Sequence, residues 1–106
     1  MFQSAKDALT AKAAQAFLNT RIARYGDVER VKLDSRERTV EVSVRLIGEA
    51  TPITVRVGRY EVHDLRGQKS VEVFNCTCSR PWIEHLLQDF AQGRRFDLPP
   101  WAAAAL

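Results

Sequence analysis

The stretch Thr39-Val-Glu-Val-Ser-Val-Arg-Leu46 decides the fold of this chain. Every second residue in it is apolar, from Val40 to Leu46, and the residues between are polar. This period of two is the pattern of a β-strand that buries one face and keeps the other in water. The stretch therefore predicts a strand of an antiparallel sheet whose valines point into a core.

Three further strands are predicted around this one, each separated from the next by a turn. A short strand covers about 28–33, a third strand begins at Pro52, and a fourth covers 68–77. The apolar alternation of the third strand changes phase. Before a glycine the apolar residues are the odd-numbered ones of 53–57, and after it they are Tyr60 and Val62. A glycine at such a point, here at 58, predicts a β-bulge or a sharp bend.

A long helix is predicted before the strands. From Ala5 to Tyr25 the chain has no Gly or Pro and is rich in good helix formers. Ser4 and Asp7 have the spacing of a capping box, and Gly26 is placed to end the helix in the left-handed conformation. Apolar residues at three-to-four spacing predict its buried face, which comprises Leu9, Ala13, Ala14, Phe17, Leu18, Ile22 and Tyr25.

A second helix is predicted after the strands. Pro81 favours the first helical position, so Ser79 or Arg80 is the cap. We expect Trp82 to lie in the core and Gly93 to end the helix. Its apolar face comprises Trp82, Ile83, Leu86, Leu87 and Phe90.

These elements predict an α+β fold. An N-terminal helix packs on a four-stranded antiparallel meander, and a second helix follows (α-β-β-β-β-α). Residues 1–106 form a single domain, with 97–106 as a tail that is either docked or flexible. The order of elements is similar to that of helix-plus-meander folds such as the cystatin-like class and some lipid-binding modules, and this resemblance is one of element order alone.

The charge pattern argues against a nucleic-acid protein. The formal net charge is +3, but the 16 basic and 13 acidic residues alternate closely instead of forming blocks. Single-strand recognition also needs exposed aromatic platforms, and only Phe74 is a candidate on the outward face. The chain shows neither a secretory signal pattern nor an apolar run long enough to span a membrane, so we expect a cytoplasmic protein.

The sequence carries no recognisable catalytic or metal motif. There is no G-x-G-x-x-G and no Walker sequence. Cys76 and Cys78, with His63 and His85, are the soft zinc ligands of the chain, but C-x-C is not the usual knuckle spacing, so we expect free thiols and no metal. His85 and Asp89 lie four residues apart without a nucleophile. We therefore expect no enzyme and no cofactor.

The leading functional hypothesis is a non-enzymatic interaction domain that binds a protein partner or a second copy of itself. It would act through the sheet edge, the sheet face or the tail. The alternative is a carrier of an apolar or lipid-like ligand, held between the first helix and the sheet. Nucleic-acid binding ranks third. The candidate interaction surface comprises Phe74, Trp101, Leu106, Arg45, Arg56 and Arg59.

Overall fold

The computed structural model describes the backbone of residues 2–105 and the side-chain burial of residues 5–102. Leu106, one of the candidate surface residues, lies outside the described residues. The helices are α1 (Phe2–Ile22), α2 (Pro81–Phe90) and α3 (Pro100–Ala105). The strands are β1 (Gly26–Asp34), β2 (Thr39–Leu46), β3 (Ile53–Leu65), β4 (Gln68–Cys78) and β5 (Arg95–Asp97).

The five strands form one antiparallel sheet in chain order, β1-β2-β3-β4-β5. This confirms the predicted α+β class, with an N-terminal helix, a four-stranded meander and a helix after it. The fifth strand was not predicted, because three residues are too few for a period to be visible. It pairs with Ser70–Glu72 of β4, so the segment after α2 returns to the sheet.

Helix α1 lies along the outer edge of β1 and closes it with side-chain amides. Asn19 Oδ1 accepts a hydrogen bond from the Val28 amide at 2.7 Å, and Asn19 Nδ2 donates to the Val28 carbonyl at 3.3 Å. Gln15 Nε2 donates to the carbonyls of Val28 and Glu29. Backbone groups that an edge strand would otherwise offer to another chain are thus satisfied within the molecule.

The free edge of β4 is closed in a similar way by α2 and the segment that follows it. Glu84 Oε1 accepts a hydrogen bond from the Cys78 amide at 2.9 Å, and Gln92 Oε1 accepts one from the Cys76 amide at 3.2 Å. The Gly93 amide donates to the carbonyl of Val73. The sheet-edge form of the interaction hypothesis is therefore not favoured along these parts of the sheet.

Two glycine interpretations need correction. Gly26 is the first residue of β1, not a left-handed helix end, and a Cβ there would overlap the Arg45 carbonyl oxygen. Gly58 lies opposite Asn75, whose φ is 55°. These two residues do not pair, but the register of β3 with β4 is the same on both sides of them. A bulge between β3 and β4 at Gly58 is therefore wrong, and the sharp bend stays a prediction. The register shift of the sheet lies between Val28 and Arg30 in β1.

The buried face of α1 is also rotated from the predicted one. Leu9 and Ala13 are exposed, whereas Thr10 and Ala11 are buried. The capping-box prediction for Asp7 is wrong because the helix already begins at Phe2. The carboxylate of Asp7 instead accepts hydrogen bonds from the amide and hydroxyl of Ser35 in the turn after β1.

The core is small and lies mainly between the sheet and its covering segments. Among its most buried members are Val28, Ile53, Tyr60, Cys76 and Ala102. The placement of Trp82 in the core was wrong, since this residue is 59% exposed. Helix α2 packs on β4 with the face that carries the half-buried Ile83 and Leu87.

Candidate functional site

An apolar cavity of about 400 Å³ lies between α1, the sheet and the C-terminal segment. Strands β1, β2 and β4 provide its floor, α1 provides one wall, and residues 96–102 provide the other. Its lining comprises Thr10, Ala14, Phe17, Leu18, Val31, Leu33, Val40, Val71, Phe96, Asp97, Leu98, Pro99, Trp101 and Ala102.

The cavity exists because α1 packs against the edge strand and not across the middle of the sheet. Val40, Val42 and Val44 of β2 form the predicted apolar face, but each is only half-buried. Small side chains on the facing part of α1, such as Ala14, do not reach far enough to fill the space. The predicted face is thus apolar and inward, yet incompletely covered.

The C-terminal segment is docked and forms a wall of this cavity. The Leu98 amide donates a hydrogen bond to the Lys69 carbonyl at 3.0 Å, which continues the β5 pairing. The Trp101 ring lies 5.8 Å from the Phe17 ring, centroid to centroid, in a tilted arrangement. Ala102 is buried. Trp101, predicted as a contact residue, therefore lines the cavity.

The lining of the cavity contains few polar groups. Thr10 and Asp97 are the polar side chains of its lining. The Thr10 hydroxyl donates a hydrogen bond to the Lys6 carbonyl at 2.9 Å, so its hydrogen does not point to a ligand in the cavity. Outside the apolar wall, the Arg21 guanidinium stands 5.0 Å above the centre of the Phe17 ring.

The other predicted surface residues lie elsewhere and do not form one site. Arg59 stands 4.8 Å above the Phe74 ring and 3.2 Å from Glu61, whereas Arg45 pairs with Glu29 at 2.6 Å. Arg45 and Glu29 pair across strands, whereas Arg59 and Glu61 lie on one strand; exposed ion pairs of this kind contribute little to stability.

Arg56 lies in a different place, a wide cleft of about 650 Å³ beside the β1–β2 hairpin. Arg30, Lys32 and Arg36 also line this cleft, together with Asp7, Asp34 and Glu41. Its mixed signs give no strong preference for an anion or a cation.

Helix α2 carries an apolar stripe that faces solvent. Trp82, Leu86 and Phe90 are four residues apart and all are exposed. Residues at this spacing share one side of a helix. The periodicity predicts this apolar face, but not that three of its five residues are exposed.

The four predicted soft ligands do not assemble into a metal site. In the part of the chain that the structure describes, the cluster with suitable donors is Glu61, His63 and Glu72, whose ligand atoms all lie within 4.8 Å of one another. Cys76 and Cys78 are free thiols. Burial raises the pKa of the Cys76 thiol, which makes it a poor nucleophile.

Tyr60 lies buried in the central strand β3. Burial raises the pKa of its hydroxyl; Arg38 lowers it, and Asp7 and Asp34 raise it further. The raised pKa keeps the phenol neutral, as expected for a structural residue.

No protein-family model, curated protein or solved structure matches this chain. Of the helices within residues 2–105, none is long and apolar enough to cross a lipid bilayer.

Proposed function

We propose that this protein binds a small apolar molecule in the cavity between α1, the sheet and the C-terminal segment. The observation that carries the proposal is the cavity itself, whose lining is almost entirely aliphatic and aromatic. Apolar groups gain free energy by leaving water, at roughly 25 cal/mol per Å² of buried surface. A guest in this cavity would supply packing that the half-buried Val40 of β2 lacks.

The size of the cavity restricts the guest. Ligand sites typically occupy about 300–1,000 Å³, and the cavity lies near the lower end at about 400 Å³. A single short aliphatic chain or one small ring system fits such a volume better than a two-chain lipid. The scarcity of polar lining groups favours a ligand whose enclosed part is hydrocarbon.

The test is a calorimetric titration of the full chain with 1-octanol. Ala14 lines the cavity from α1, so Ala14→Trp places an indole in the space that the ligand would take. The matched control is Ala13→Trp, which adds the same ring at the adjacent, exposed position. We expect saturable binding that Ala14→Trp weakens at least tenfold and that Ala13→Trp leaves unchanged.

Two results would contradict the proposal: no saturable binding of octanol to the wild-type chain, or equal binding by both tryptophan variants. Circular dichroism establishes that each variant is folded. If Ala14→Trp unfolds, Val71→Phe approaches the same cavity from β4 and replaces it in the comparison.

A second candidate function is association through α2. The exposed stripe of Trp82, Leu86 and Phe90 favours it, because aromatic side chains most often anchor protein contacts. Light scattering of the wild type and of Leu86→Lys tests self-association: a dimer that the substitution converts to a monomer supports it, and a monomeric wild type contradicts it.

A further inference from the structure

Three side chains with metal-ligating atoms meet on the sheet face opposite the cavity. Glu61 and His63 are two residues apart on β3, and Glu72 is the direct cross-strand partner of Glu61. Val71, next to Glu72, lines the cavity. Because successive side chains of a strand point to opposite faces, Glu72 projects away from the cavity.

The pairing of Glu61 with Glu72 sets two carboxylates side by side. Like charges at directly opposed positions of an antiparallel pair destabilise the sheet. His63 Nε2 lies close to both carboxylates, 2.9 Å from Glu72 Oε1 and 4.0 Å from Glu61 Oε2. The side chains are partly withdrawn from water, with 18% of Glu72 and 29% of His63 exposed.

Two arginines approach the same carboxylates from the outside. Arg59 Nη2 lies 3.2 Å from Glu61 Oε1, whereas the oxygen of Glu61 that lies nearer His63 is Oε2. Arg95 Nε is 3.9 Å from Glu72 Oε1, a distance beyond hydrogen bonding. The arginines therefore leave Glu61 Oε2 unoccupied, and the hydrogen bond between His63 Nε2 and Glu72 Oε1 is the contact that a common ion would replace.

We propose that Glu61, His63 and Glu72 bind one divalent transition-metal ion, and that zinc fits this donor set best. Zinc takes imidazole nitrogen and carboxylate oxygen at about 2.0–2.2 Å, which places two ligands of one ion roughly 3–4 Å apart. The ligand atoms of the cluster lie within 4.8 Å of one another, so small side-chain rotations suffice. Three protein ligands leave a fourth position for water.

Metal binding here exchanges a proton for the ion. The imidazole must present an unprotonated Nε2, which otherwise shares its proton with Glu72. Binding therefore releases a proton wherever this nitrogen carries one.

The experiment is a calorimetric titration of the full chain with zinc chloride. We expect one ion per chain, and at least tenfold weaker binding for His63→Ala and for Glu72→Gln. The controls are His85→Ala, which removes an exposed histidine of α2, and Cys78→Ser, which removes the less buried thiol. Both controls keep wild-type affinity. Circular dichroism verifies folding, and the His63 imidazole resonances shift on addition of zinc.

The proposal is overturned by an absence of binding. It is equally overturned if His63→Ala binds as the wild type does, or if the affinity is lost in Cys78→Ser or His85→Ala instead.

Discussion

Tyr60 and Ile53 illustrate how much of the stability of this chain depends on single residues. Both are almost fully enclosed, with Ile53 2% and Tyr60 3% exposed. Most other apolar side chains keep part of their surface in water, so the few enclosed ones contribute a large share of the burial.

Stability should fall more steeply at alkaline pH in the wild type than in Tyr60→Phe. The pKa of Tyr60 is raised above 10.0 in the folded chain, mainly by burial. The folded state therefore holds the phenolic proton more tightly than the unfolded state. The stabilisation is complete below the unfolded pKa and is lost as the pH rises through the folded pKa.

Urea unfolding of both proteins between about pH 9 and about pH 11 measures this difference. Titration of Cys76 is common to both proteins and cancels in the comparison. Parallel pH profiles would show that Tyr60 is not the group responsible.

Ile53→Ala should cost roughly 2–5 kcal/mol of unfolding free energy, because it leaves a cavity at an enclosed site. Leu86→Ala should cost less than about 1 kcal/mol, because Leu86 is 45% exposed. Urea denaturation of the two variants checks the contrast. Similar costs at the two positions would contradict the contrast. They would mean either that a second molecule covers α2 in solution or that Ile53 does not lie in the core.

At the scale of elements, parts of β1 and β4 are closed by side chains that form the hydrogen bonds a neighbouring strand would form. Asn19 forms hydrogen bonds to both the amide and the carbonyl of Val28, as a neighbouring strand would. Glu84 and Gln92 serve the β4 edge in the same manner. These bonds join α1 and α2 to the sheet more specifically than apolar contact does.

Asn19→Leu should destabilise the chain by about 1–3 kcal/mol, because the buried Val28 amide loses its acceptor. The control is Thr20→Val, which removes an exposed hydroxyl that bonds only within α1, and we expect it to change stability by less than about 0.5 kcal/mol. Chemical denaturation measures both. Equal stabilities of Asn19→Leu and the wild type would rule out a structural role for this edge closure.

The helices and strands could be predicted from the sequence, but which of their faces are buried could not. Alternation in 39–46 and the helix-forming composition of 5–25 depend on local chemistry, so the meander and α1 were found. The rotated face of α1 was missed because alanine-rich helices have little apolar asymmetry. Burial of Trp82 was overestimated because periodicity identifies a face without showing whether anything packs against it.

The candidate sites were predictable only in part. A ligand held between the first helix and the sheet was the alternative hypothesis from the sequence, behind an interaction domain. The wall that the C-terminal segment gives to the cavity was not predicted, because β5 is too short to show a period and it pairs with residues distant in sequence. The Glu61–His63–Glu72 cluster was also missed, since it depends on the β3–β4 register, which brings together residues that are distant in sequence.

At the scale of the whole molecule, the two sides of the sheet have different chemistry. One side faces α1 and the C-terminal segment across an apolar cavity, and the other carries interleaved charges around His63. A guest in the cavity would join α1, the sheet and residues 96–102 into one packed unit. Ligand binding should therefore raise the melting temperature as well as occupy space.

The most direct measurement is a methyl-resolved NMR titration of the wild-type chain with 1-octanol. The account predicts saturable shifts in the methyl signals of Val31, Leu33, Val40 and Val71, all of which line the cavity, while those of the solvent-facing Leu9 and Leu65 stay in place. Shifts confined to Leu86 on the exposed stripe of α2, or no saturable shift at any methyl group, would contradict it.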